Sequence, residues 1–193
     1  MTLTYPKEWL VLCNRALMLI GAEPIQSLQD SGIASQNLNV ILPDAVQEVL
    51  SYHPYRCARR RSSLAPLVDA PSFGFKYAYQ LPSDFCGLVE VYNEDVLLTK
   101  EDYQREGDTI LSNVEGMNII YIALPDSPKT LTPPVQSAIV YLIAYKMAET
   151  TTANDALIVR LYQEYQTHLL ESVKRDNQGA GDKGGEKWWT EDR

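Results

Sequence analysis

The chain has 193 residues, 45% hydrophobic and 22% charged, with 17 Lys and Arg against 25 Asp and Glu for a net charge of −8. This predicts one globular domain with room for an extension, and it excludes wholesale disorder, a collagen-like repeat and a disulfide-stapled miniprotein. The acidic balance also argues against strong non-specific binding of duplex DNA, because phosphate affinity comes from Lys and Arg.

A first helix is predicted over residues 5–20, with Trp9, Cys13, Ala16, Leu17 and Ile20 on one face and Gly21 as terminator. Lys7, Glu8, Asn14 and Arg15 interrupt its apolar residues, so it is not expected to be a signal peptide. The loop AEPIQSLQDSGIAS follows, and then a second helical pattern over 35–53, with Leu38, Leu42, Val46 and Val49 in its stripe. Pro43 interrupts that pattern, which leaves either a kink or a fresh helix start. Residues 56–67 are a basic segment entering an extended region.

From 72 to 124 the texture changes. FGFKYAYQL, CGLVEVY, DVLL, DTILS and MNIIYIAL are short strand candidates separated by Asn, Glu, Gly and Asp turns. They predict an antiparallel meander of four or five strands. Helices are expected again at 133–150 and 155–174, the first capped by Thr132 and the second by Asn154, forming an αα-hairpin. Residues 178–193 are predicted as a flexible tail, rich in glycine and nearly free of apolar side chains until Trp188 and Trp189. The fold class expected is α+β. It is mainly a helical bundle of about four helices, with a small inserted antiparallel sheet and that tail. Residues 1–177 make a single domain.

The residues offer little chemistry. Cys13, Cys57 and Cys86 form no CxxC or Cys/His metal spacing and are expected to be reduced, buried thiols. Of the two histidines, His53 is expected to cap a helix end, and His168 lies beside an apolar helix face. There is no nucleophile elbow, P-loop or dinucleotide fingerprint. Glu90, Glu94, Asp95, Glu101 and Asp102 flank the strands and leave paired-carboxylate hydrolysis as an alternative. No stretch approaches the roughly 20 apolar residues of a membrane span.

Five landmarks in order carry a resemblance: ALMLIGAEPIQSL; the DSGIA run with HPYRCARRRSSLAP; AYQLPSDFCGLVEVY; NIIYIAL; and a helix, a Thr-Thr-Ala-Asn break and a second helix. Across about residues 5–175 the chain resembles the podovirus head-to-tail adaptors, the tail tubular protein A family of T7-like phages and the packaged-DNA stabilisation proteins of P22-like phages. Tyr55 stands where that family often has Trp, and Pro43 is a second departure.

The resemblance implies a virion structural protein at the head–tail junction, made in the host cytoplasm, with neither enzymatic activity nor a cofactor. A ring of about twelve copies would sit under the portal protein and extend the DNA channel. It would present a platform for a nozzle of the tail tubular B type, or for a tail needle or fibre. DNA would pass through without sequence-specific binding. The resemblance places Lys183, Lys187, Trp188 and Trp189 against portal subunits, so deleting the residues after about Asn177 should abolish portal binding and spare the fold. The basic cluster Arg56, Arg59, Arg60 and Arg61 would make contacts between subunits or face DNA; the plainer alternative is a solvated, charge-protected strand edge. Alternatives for the whole chain are a tail-associated peptidoglycan hydrolase and a soluble helical interaction module.

Overall fold

The structure, a computed structural model, describes residues 7–69, 71–151 and 154–179. Two helices come first, α1 (Lys7–Leu19) and α2 (Ile33–Tyr52). A single 3-10 turn at Arg56–Ala58 leads into seven strands: β1 (Arg59–Leu64), β2 (Tyr77–Gln80), β3 (Phe85–Asn93), β4 (Val96–Leu97), β5 (Tyr103–Glu106), β6 (Thr109–Ser112) and β7 (Met117–Ala123). Two long helices close the described chain, α3 (Pro133–Thr151) and α4 (Asp155–Gln178). Among the described residues, no helix is long and apolar enough to cross a membrane.

Helix ends follow local chemistry. Gly21 takes a positive φ of 74°, which lets the Ala22 and Gly21 amides return to the carbonyls of Leu17 and Met18 at 3.0 and 3.2 Å. That closes α1 with a left-handed cap only glycine adopts without strain. Asn154 opens α4 by accepting from the Leu157 amide at 3.1 Å, as the sequence predicts. The break expected after Thr150 falls partly on residues 152–153, outside the described residues; Thr150 and Thr151 themselves still belong to α3. Pro43 starts no new helix: α2 runs through it, with Leu38, Leu42, Val46 and Val49 buried on either side. Tertiary burial of that stripe outweighs the backbone hydrogen bond Pro43 removes.

α3 is the central helix, in contact with α1, α2 and α4. Its buried residues include Val135, Ala138, Ile139, Val140, Leu142, Ile143, Ala144 and Met147, so apolar side chains surround it nearly completely.

The expectation of a helical bundle carrying one small inserted meander is corrected by the strands. They form two antiparallel sheets, one ordered β1-β7-β3-β4 and the other β2-β6-β5. Ile122 joins the helical core, whereas Met117, Ile119, Tyr121 and Ala123 share a second core with Tyr79 and Ile110 of the other sheet. The molecule is therefore layered as helices, sheet and sheet, with β7 buried on both faces. The run Ile119-Ile120-Tyr121-Ile122 is what two-sided burial requires, because a half-exposed strand alternates. β1, RRRSSL, is an exposed edge strand, as the plainer alternative for the basic segment has it, whereas β5 escapes the pattern reading because YQRE is a polar edge strand.

Candidate functional site

The basic segment is the one place where the sequence concentrates positive charge, and the structure disperses it. Antiparallel pairing sets Arg59 opposite Ile122, Arg60 opposite Tyr121 and Arg61 opposite Ile120. Opposed residues share a face. Arg59 and Arg61 therefore lie on the helix side of the sheet, and Arg60 on the side of the second sheet.

Each arginine has different surroundings. Arg56 turns back to the end of α4. Its amide donates to Asp176 Oδ1 at 3.1 Å, its Nε lies 3.8 Å from Asp176 Oδ2, and its guanidinium also donates to the carbonyls of Asp176 and Gly179. Arg59 Nε donates to the Pro54 carbonyl at 3.1 Å. Arg60 pairs with Asp84 at 2.6 Å and reaches Asp126 at 3.6 Å. Arg61 has no ion-pair partner among the described residues and lines an open cleft of about 400 Å³ with Ser63, Tyr92, Glu94, Asp95 and Asn118. Of the four, Arg59 and Arg61 keep an exposed guanidinium outside any ion pair with a described residue.

The acidic partners escape sequence reasoning. Asp84 belongs to the Leu-Pro-Ser-Asp-Phe turn, and its carboxylate accepts from Arg60 and from the Tyr121 hydroxyl, the latter at 3.1 Å. Asp176 is 120 residues from Arg56. No local signal links such a pair; only the packing of the end of α4 against the turn after α2 does.

That junction also decides His53. It stands just past the end of α2, and its Nε2 lies 3.3 Å from Asp176 Oδ2 and its ring meets Tyr55 edge-on. It is thus the C-cap residue of α2, as expected, and its side chain also ties that end to α4. Tyr55 is fully buried and donates to Ser172 Oγ at 2.6 Å, while Ser172 donates on to the Leu169 carbonyl. Burial raises the Tyr55 phenol above its ordinary range. His168 stacks on Tyr141 with ring centroids 4.6 Å apart.

Two of the five carboxylates flanking the strands, Glu90 and Asp102, are engaged by local bonds, while Glu94 and Asp95 line the cleft beside Arg61. Glu90 accepts from the Tyr92 hydroxyl at 2.6 Å, which raises the Tyr92 phenol. Asp102 accepts from the amide and hydroxyl of Thr99, and these bonds lower its carboxyl. Among the described residues, no group of three or more His, Cys, Asp or Glu could hold a metal ion. All three thiols are free. The expectation that they are buried holds for Cys13 alone, because Cys57 and Cys86 are half-exposed.

Lys183, Lys187, Trp188 and Trp189 lie outside the described residues. Exposed apolar side chains are spread over the described surface, Met18, Ile33, Val40 and Val96 among them, and two groups lie together. Val68 and Phe73 project from the loop between β1 and β2, and Tyr52, Tyr162 and Leu170 border a cleft between α2 and α4. No protein-family model matches the chain, and no curated protein matches it either.

Proposed function

We propose that this chain is a structural adaptor at the head-to-tail junction of a short-tailed phage. In this reading it forms a ring under the portal protein, extends the DNA channel and carries the next tail component. It acts by assembly, not catalysis, and needs no cofactor.

The observation that carries this reading is where the five resembling segments lie. Four of the five fall at joints of the fold, and the fifth, NIIYIAL, is the central strand β7. ALMLIGAEP is the end and cap of α1, DSGIA opens α2 and HPYRCARRR joins α2 to β1, LPSDF turns into β3, and the last lies between the end of α3 at Thr151 and the Asn154 cap of α4. Joints set how layers meet, so shared joints favour a shared architecture over a chance match of apolar patterns. Two further features support it. Arg59 and Arg61 present charge on an edge strand without an ion pair among the described residues, suited to a carboxylate on a neighbouring copy. The net charge of −8 suits a conduit that must not grip DNA.

The test is the light-scattering mass of the pure protein, alone and mixed with its cognate portal ring, with micrographs of the mixture. A ring-shaped cap of many copies on the portal is the expected result. A stable monomer or dimer that ignores the portal would overturn the reading.

A further inference from the structure

The cleft between α2 and α4 encloses about 610 Å³ and is walled largely by aromatic and aliphatic side chains. Tyr52, Tyr162 and Leu170 on its rim are 56%, 43% and 60% exposed, while Tyr165 and Leu169 beneath them are buried. An apolar groove of this kind on a monomer's surface marks an interaction site. Its lining of Tyr52, Tyr162 and Tyr165 offers aromatic faces against which planar amphipathic rings pack.

The length of chain beyond α4 points to the occupant. The cleft residues Leu170 and Tyr162 lie about 12 to 24 Å back along α4 from Gln178, at 1.5 Å per residue. Trp188 follows Gly179 by nine residues, a span of at most about 30 Å when extended. The two tryptophans therefore reach the cleft with slack, and among residues 180–193 they are the sole large apolar side chains. A second cleft lies nearer the chain's exit, with Gly179 on its rim and Pro133 and Pro134 in its lining. It carries two ion pairs, Arg56 with Asp176 and Arg175 with Glu171, and its aromatic ring, His168, is already stacked on Tyr141, whereas the α2–α4 cleft offers three tyrosine rings.

We propose that Trp188 and Trp189 of the same chain cover the α2–α4 cleft in the free protein, so that a partner binding the tryptophans must first lift them from it. This does not depend on the ring reading: portal binding and indole shielding are measured separately, and either can fail alone.

The experiment is acrylamide quenching of tryptophan fluorescence in the full chain. Trp9 is fully buried and supplies a quench-resistant baseline, read from the double variant Trp188→Phe, Trp189→Phe. In the wild type the remaining two indoles should quench much less than in a free peptide of residues 179–193. Leu170→Asp should raise their quenching to the peptide level, with circular dichroism unchanged because Leu170 is exposed. Tyr162→Ala is the second variant and should act in the same direction. Three outcomes would overturn the proposal. The wild-type indoles already quench like the peptide; or their protection survives both cleft substitutions; or it vanishes on dilution, which would place a second copy's tail in the cleft.

Discussion

Gly21 carries more of the architecture than its size suggests. Its φ of 74° ends α1 and aims the chain into the loop toward α2, and a Cβ there would meet nothing within 4 Å. Gly21→Ala is therefore a test of backbone strain alone. It should cost about 1 kcal/mol in denaturant unfolding, the usual cost of a left-handed alanine, without altering the folded structure. Cys13 and Tyr165 are the other informative residues. Burial pushes the Cys13 thiol from 9.0 to about 12 and the Tyr165 phenol from 10.0 to about 12. Both groups are thus held neutral by the fold. A raised folded pKa contributes stability that is fully present below the unfolded value and lost as pH climbs through the folded one. The melting temperature should accordingly stay level up to about pH 9 and fall steeply between pH 9 and 12. Cys13→Ala should delay the onset of that fall; an unchanged onset would show that the thiol is not responsible.

Among elements, the end of α4 stands out, because one carboxylate fastens it to the turn after α2. Asp176 is one-tenth exposed; its carboxylate accepts from His53 at 3.3 Å and from the Arg56 amide at 3.1 Å, with the Arg56 Nε in ion-pair range at 3.8 Å. Asp176→Ala strips a nearly buried acceptor from two donors and an ion-pair partner and should cost about 2–3 kcal/mol in chemical denaturation, in the range of hydrogen bonds to charged groups. The exposed pair of Arg60 with Asp84 makes the contrast: Arg60→Ala should cost no more than about 1 kcal/mol. Equal costs for the two would mean that the junction between α2 and α4 is held by packing alone. β7 illustrates the same logic for apolar groups. Its even-numbered Ile122 faces the helices and its odd-numbered Ile119 and Tyr121 face the second sheet, so one strand glues both cores.

Viewed as a whole, the molecule presents a layered body with a charged edge on one sheet and an apolar cleft on the helices. The edge strand β1 is where the ring reading makes its sharpest commitment. Replacing Arg59 and Arg61 together by Glu should leave the monomer folded, since both side chains are exposed, and should block ring assembly on the portal in sedimentation or micrographs. Assembly at wild-type levels would remove β1 from the interface. Truncation after Asn177 tests the other end of the same reading: portal binding should be lost while the melting curve keeps its cooperativity.

The pattern of residues already specifies the four helices to within a few positions at each end, along with five of the seven strands, because amphipathic periodicity and cap residues are local properties. The helix stripes of α1 through α4 and the Asn154 cap are of that kind. The chain's chemistry was legible chiefly as the arginine cluster and the paired tryptophans. What pattern could not supply was which charges meet. Asp176 finds Arg56, and Asp84 finds Arg60, only when distant segments fold together, and that pairing separates the engaged arginines from the two left outside ion pairs. The same holds for the polar edge strand β5, for the partner of β1 and for the division of the strands into two sheets. The side chains of β1 and β5 lack an apolar period, so backbone hydrogen bonds to β7 and β6 define their places. Helix-forming signals lie within a few residues of one another. Sheet membership, ion pairing and the cleft between α2 and α4 are set by contacts between segments far apart in the chain, and these exist only in the folded molecule.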